Sequence, residues 1–305
     1  MENNKVLVSV YCLAYNHEKY IRDCLDGFVK QKTNFKFEVI VHDDASTDGT
    51  ADIIREYAMQ YPDIIKPIFQ KENQYSKGID IVTKYILPVL KGKYIAVCEG
   101  DDYWCDECKL QKQVSFLETN GDFIAIVHPT KVYNYLTKEE SLLKAYDRDC
   151  VVGVRDVISV FIPLFHTTSV VYRKSAAPKI FEMKEMSWDY SKLVYLAVTG
   201  NIYYINDVMS VYRTQLPNSW TAVNSVKKDR KKNLRFQKDM IVALDFCNKY
   251  SQYKYDRFID KSILNFEYQI WRAEPYFKLL FNPRLYKIGR LRTIKMIFRC
   301  LFSFK

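Results

Sequence analysis

No stretch of the sequence reads Gly-x-Gly-x-x-Gly, and none reads Gly-Lys-Ser or Gly-Lys-Thr, so neither a dinucleotide fingerprint nor a Walker loop is available to cradle phosphates. Long hydrophobic runs are missing too. The longest candidate, Val157 to Tyr172, is broken by Pro163, His166, Thr167 and Thr168, well short of the roughly 20 apolar residues that cross a bilayer. The first residues, Met1-Glu-Asn-Asn-Lys5, are polar and carry an acid, unlike a secretion signal, which sets the expectation of a cytoplasmic protein. The eight cysteines then read as reduced thiols and not as a disulfide framework. Cys12, Cys24 and Cys98 fall in apolar-periodic segments as core residues. Cys105-Asp-Glu-Cys108 has the spacing of half a zinc site or a redox pair, but no second pair or nearby histidine pair completes a tetrahedron, and coincidence is the reading.

What is present is ample core material: 305 residues, 48% hydrophobic and 15% aromatic, enough for one large domain or a domain with an appendage. The net charge of +10 is unevenly spread. Residues 226–305 hold 20 of the 46 basic residues and only 7 of the 36 acids, leaving 26 against 29 in residues 1–225. A near-neutral body therefore carries a basic C-terminal region, whose partner would be anionic lipid, nucleic acid or an acidic protein.

The first hundred residues alternate between the two periodicities. Val6–Val10, Phe37–Val41, Ile64–Phe69 and Lys93–Cys98 read as strands, with helices at Glu18–Lys30, through Ala51, Ile54 and Tyr57, and at Ile79–Leu90. Ser46 or Thr47 is the expected N-cap of the second helix. The pattern predicts an α/β fold with a mostly parallel sheet, in which ligands bind at the carboxyl ends of the strands. Those ends carry Leu13, Tyr15 and Asn16, then Asp43 and Asp44, then Glu99, Asp101 and Asp102. Carboxylates this close repel one another unless a cation or donor groups offset the charge. Their hard oxygens suit Mg²⁺ or Mn²⁺, which would hold phosphates in place of a glycine-rich loop.

The segments VSVYCLAYNHEKYIRDCLDG, EVIVHDDASTDGTADII, EGDDYW and SWDYSKLVYLAVTGNIYYINDVMSVYR together resemble the inverting family-2 glycosyltransferases of the bacterial surface-polysaccharide type, over residues 5–220. The resemblance implies a GT-A fold, a Rossmann-like central sheet flanked by helices, over residues 1–225. Its nucleotide-binding half would be about 1–105 and its acceptor half about 106–225; the tail beyond is not covered by the resemblance, and the charged spacing of Val226 to Lys249 sets the expectation of a basic helical region at 226–305. The resemblance implies transfer of a sugar from a nucleotide-sugar, UDP-linked, to a glycan or lipid-linked acceptor, with Mn²⁺ or Mg²⁺ as cofactor. Tyr15 would stack on the base and Asp44 would accept from its edge, with Leu13, Asn16 and Asp43 completing that loop. Asp101 would meet the ribose or the metal and Asp102 the metal, with the direct ligand left open between them. Asp189, before the apolar residues Leu193, Leu196 and Ala197, matches the general base; the alternative is an ordinary acid at a helix N-terminus.

Three departures from the family pattern stand out: Leu13-Ala14 in place of a proline, Glu99 in place of an aspartate, and Gln215 in place of a histidine. The last puts that loop's metal or phosphate role in doubt, leaving Arg213 as a diphosphate contact. Trp104 is either a wall for a sugar ring or a core tryptophan, and His166 an acceptor-side residue or, as the better reading, a satisfied core histidine. Lys77, beside Gly78, is either a phosphate contact or a solvated lysine. In residues 284–305, which contain no acid, Ile288, Leu291, Ile294, Phe298 and Leu301 share a helical face beside Arg292, Lys295 and Arg299. That composition fits an interfacial helix on an anionic membrane surface, at the inner face of the cell membrane, or a packed helix with a basic rim. Two other functions compete: a nucleotide-sugar-binding protein without catalysis, and a nucleic-acid-binding protein. The second lacks a recognition motif, so the expectation is no nucleic acid partner.

Overall fold

The computed structural model describes residues 5–159, 164–217, 219 and 230–273. Apolar residues of Val6–Ala14 (β1) alternate between two faces. Val8, Val10 and Cys12 join one core cluster, whereas Tyr11 joins the other. β1 lies in the middle of four parallel strands, flanked by Lys36–Asp43 (β2) and Tyr94–Val97 (β4), with Ile65–Phe69 (β3) outside β2. Helices Ile21–Val29 (α1) and Thr50–Gln60 (α2) follow β1 and β2.

Beyond β4 the eight-stranded sheet turns mixed. Val171–Arg173 (β10) runs antiparallel between β4 and Phe123–Val127 (β6). Asn201–Tyr204 (β11) is parallel to β6, and Cys150–Val151 (β9) closes the edge antiparallel to β11. A second, four-stranded sheet contains Tyr103–Trp104 (β5), Ser210–Thr214 (β12), Thr130–Asn134 (β7) and Glu140–Leu143 (β8), in that order. Helix Lys109–Thr119 (α3) follows β5 and packs on the α1 side, while Val154–Ser159 (α4), Ala177–Ile180 (α5) and Asp189–Thr199 (α6) cover the other face.

Two local expectations change. Ile79–Leu90 is not an α-helix but a π-helical turn, Val82–Ile86, followed by a 3-10 turn, Leu87–Val89. Pro88 lacks the N–H that an α ladder needs and its ring would clash with the turn behind it. The second helix has Gly49 as its N-cap. Asp48 accepts the N–H (3.0 Å) and hydroxyl (2.5 Å) of Thr50 at the helix start. Ser46 and Thr47 are used instead to bind the loop after β1.

The described part of the C-terminal region is helical, as its charge pattern suggested: Arg230–Tyr250 (α7) and Asp256–Ala273 (α8). Met240, Ala243, Leu244, Ile259, Ile263 and Phe266 share one apolar cluster with Tyr190, Leu193 and Val194 of α6. The segment 284–305 lies outside the described residues. Among the described residues, no helix is long and apolar enough to cross a membrane.

Gly27 of α1 lets β5 approach: a Cβ there would sit 2.8 Å from the Trp104 carbonyl oxygen and 3.0 Å from its nitrogen. Both neighbours are backbone and cannot swing away. Gly27→Ala is expected to destabilise the fold by about 1–3 kcal/mol in urea unfolding; an unchanged midpoint would show that β5 is free to shift.

Candidate active site

The ends of β1 and β2 are tied together before any ligand arrives. Asn16 (φ 56°) and Ala45 (φ 60°) both occupy the left-handed region, where a non-glycine residue is strained and held by its surroundings. The Asn16 N–H donates to Ser46 Oγ, and its side-chain oxygen accepts from the Thr47 N–H. Asp43 accepts both the N–H and the hydroxyl of Ser46, at 3.2 and 2.5 Å. Asp44, also buried, accepts the backbone N–H groups of Gln74 (2.8 Å) and Tyr75 (3.0 Å), and its own N–H donates to the Ala14 carbonyl. It thus holds the loop after β3 against the end of β1, with each oxygen already in use once. Leu13 is partly buried against the sheet, while the Tyr15 ring is 43% exposed at the rim. Lys77 pairs with Glu72 at the surface and is not turned into the site.

The acidic turn after β4 is held by two backbone bonds, Gly100 N–H to Leu13 C=O and Asp102 N–H to Glu99 C=O, each 3.0 Å. Asp102 is 2% exposed. Its Oδ1 accepts the backbone N–H of Arg213 at 2.8 Å, and its Oδ2 lies 3.9 Å from Nε2 of His166. Burial and the neighbouring Asp101 push its pKa well above the usual carboxylate range, against the Arg213 N–H. Glu99 is pushed up to about 8 by burial, Asp101 and Asp189, with Lys192 opposing. Asp101 lies 4.0 Å from Nε2 of His17. Bringing so many carboxyls together costs free energy that a cation would offset.

His166 is drawn into the site, against its reading as an ordinary core histidine. Burial lowers its pKa to about 4, so the ring is neutral at physiological pH. Nδ1 lies 3.0 Å from the Thr168 hydroxyl, which donates to Ser210 Oγ at 2.8 Å; Ser210 in turn lies 3.0 Å from the Thr130 hydroxyl. Nδ1 also accepts the Thr168 backbone N–H (3.3 Å), so its lone pair is in use and the proton of the neutral ring sits on Nε2, facing Asp102. The carboxyl oxygens of Asp101 and Asp102 that no backbone donor takes suit a hard divalent cation that would take its remaining ligands from substrate phosphate and water, the way Mg²⁺ is commonly bound. Among the described residues, no group of three or more His, Cys, Asp or Glu forms a complete cage. Cys105 and Cys108 are free thiols.

Asp189 is the first residue of α6, 46% exposed, with the Lys192 ammonium 3.6 Å away. A cavity of about 30 Å³ beside it is lined by Tyr11, Phe165, Tyr172, Lys192 and Leu193. The charge of Asp189 reaches both Glu99 and His166, so the base candidate lies near the acidic turn. Two other expectations are corrected. Arg213 is not open to a diphosphate: its guanidinium donates to the Asp101 carbonyl, pairs with Asp23 and lies over the rings of Tyr20 and Tyr103. Trp104 is core and not a sugar wall, with its indole N–H on the Thr168 carbonyl and its edge against Phe28.

Lys109 went unnoticed in the sequence because a lysine near the start of an amphipathic helix reads as solvated. It is fully buried, donates to Gln113 Oε1 at 2.7 Å, and lies 4.2 Å from the centre of the Trp104 ring. Lys192 was legible in principle, three residues after Asp189 on the same helical face.

The sequence model of the family described as Glycosyl transferase family 2 matches residues 9–216, which include every candidate residue above. The chain belongs to glycosyl transferase family 2. Relatives are found at different ranges. The uncharacterized protein Rv1520 of Mycobacterium tuberculosis is 38% identical over 227 residues, covering 74% of this chain and 63% of that protein, so the chain spans under two thirds of that relative's length. The Escherichia coli UDP-Glc:alpha-D-GlcNAc-diphosphoundecaprenol beta-1,3-glucosyltransferase WfaP is 35% identical over 119 residues, 39% of this chain and 44% of WfaP. In fold, the chain resembles Staphylococcus aureus TarS 1-349 solved with UDP-GlcNAc, with a TM-score of 0.62 at 17% identity, covering 98% of this chain and 80% of that one.

Burial lowers the Lys109 pKa from 10.5 to about 7, against the opposing charges of Cys98, Asp106 and Cys105. Between those values the unfolded chain keeps a proton that the folded chain has released, so this group makes stability rise with pH. The difference in thermal midpoint between the parent and Lys109→Met is expected to move in the parent's favour as pH rises from about 7 towards 10. A pH-independent difference in scanning calorimetry would mean that the folded lysine keeps its charge.

Proposed function

We infer that this glycosyltransferase moves a sugar from a UDP-sugar to a glycan or lipid-linked saccharide in surface-polysaccharide synthesis, by a single displacement that inverts the anomeric centre. The observation that carries the reading is the acidic turn at the carboxyl end of β4, with the Asp189 carboxylate near enough to act on Glu99. WfaP, named for a UDP-glucose donor and a diphosphoundecaprenol-linked acceptor, supports the substrate class, as does the TarS complex with UDP-GlcNAc.

In this reading Tyr15 stacks on the base, while Asp43 and Asp44 hold the loops that shape its pocket. Asp102 would hold the divalent cation, with the Nε2–H of His166 turned to its carboxyl, and Asp101 would meet the ribose or the cation. When bound, the cation neutralises the charge that develops on the departing nucleoside diphosphate. Asp189 accepts the proton of the attacking acceptor hydroxyl, which its exposed position at the helix start allows. Glu99, largely protonated below its raised pKa of about 8, donates a hydrogen bond to the sugar instead of adding another charge.

Nucleoside-diphosphate release from a panel of UDP-sugars, with and without Mn²⁺, tests this. Metal-dependent release from one donor is expected, reduced by about 10²–10⁴-fold in Asp189→Asn with UDP affinity retained. Asp102→Ala is expected to abolish the metal dependence. Full activity of Asp189→Asn would remove it as the base.

A further inference from the structure

The side chain next to Asp189 is held by an element beyond the residues that the family model covers. Trp188 caps α6 with extended backbone (φ −78°, ψ 141°), and its carbonyl accepts from the Lys192 N–H at 3.1 Å and the Ser191 hydroxyl at 2.7 Å. Its indole N–H donates to Asp239 Oδ2 on α7 at 3.2 Å. The ring also meets Phe236 edge to face, with centroids 4.9 Å apart and planes at 80°. Phe236, Asp239 and Met240 share one helical face, so a single stripe of α7 supplies ring contact, acceptor and core anchor. Arg235, one turn earlier, lies 3.8 Å from the same Asp239 oxygen and holds it in place.

We propose that Asp239 is a positioning residue for the Asp189 carboxylate, acting through the indole of Trp188. Asp189 is half exposed, with one partner, Lys192, recorded at 3.6 Å on its own helix. A carboxylate that must meet an acceptor hydroxyl within hydrogen-bond reach needs its helix start fixed, because a displacement of about 1 Å costs up to 10²-fold in rate. The backbone bonds of Trp188 lie within α6 itself. The indole bond and ring contact tie that turn to α7, so α7 acts as a brace for the first turn of α6. The inference rests on Asp189 being the base.

The test uses the full chain and the active donor from the UDP-sugar panel. Trp188→Phe keeps a ring against Phe236 and deletes the N–H, Asp239→Ala deletes the acceptor, and Asp239→Asn retains an acceptor oxygen. Trp188→Phe and Asp239→Ala are expected to lower kcat by about 10-fold to 100-fold with donor KM and UDP affinity unchanged. Asp239→Asn is expected to stay near the parent. In an Asp189→Asn background, Trp188→Phe is expected to add no further loss, because it acts through a group already removed. Parent-like kcat in both Trp188→Phe and Asp239→Ala overturns the proposal, as does a full additional loss in the double variant. Loss of UDP affinity together with kcat in both overturns it in favour of a general packing role. Parent-like activity in Asp189→Asn alone is the separate signature that the base reading has failed.

Discussion

Repulsion among carboxyls is the constraint around which the site is arranged. Glu99, Asp101, Asp102 and Asp189 act on one another where water is partly excluded, and raised pKa values at Glu99 and Asp102 are the direct consequence. The fold tolerates this by holding each group from behind. Asp102 is bound by a backbone N–H from the second sheet, Asp101's carbonyl by a guanidinium, and Asp189 lies at a helix N-terminus beside Lys192. Few cations face the pocket itself. Arg213 and Lys109 lie behind its walls, paired with Asp23 and Gln113 respectively, so the site stays electronegative. Such a surface attracts a divalent ion more readily than it attracts a bare diphosphate.

The strands up to β4, their mostly parallel pairing and the acidic turn were legible in the sequence because each leaves a local mark. β1 and β2 alternate, and EGDDYW follows a four-residue apolar strand. The π-helical turn at Val82–Ile86 escaped because its apolar spacing imitates an α-helix until Pro88 intervenes. Arg213 was misplaced for a different reason: its partner Asp23 lies 190 residues away, and no spacing rule reports such a contact. His166 was legible only as a histidine near apolar residues. Its aim at Asp102 depends on Thr168, Ser210 and Thr130, which come together only when β12 pairs with β7.

The second sheet thereby has a role beyond closing the core. β12 places Ser210 behind the histidine and the Arg213 N–H on Asp102, and β5 continues straight from the acidic turn. Helix α1 meets β5 at Gly27, so the helix after the first strand, the turn after the fourth and the late strand β12 form one mechanical unit. The departure at Gln215, which sits in the left-handed region at φ 60°, lies directly after that unit and leaves its internal bonds untouched.

The bond from Arg213 to Asp102 joins residues 111 apart in the chain. During synthesis, the acidic turn emerges early but lacks this donor until β12 has left the ribosome, and the indole of Trp188 lacks its acceptor until α7 follows. Loop closure over such a length is entropically costly and comes late. A nascent or truncated chain can therefore build the sheet up to β4 while the acidic turn and the first turn of α6 still lack partners that only the last described elements supply.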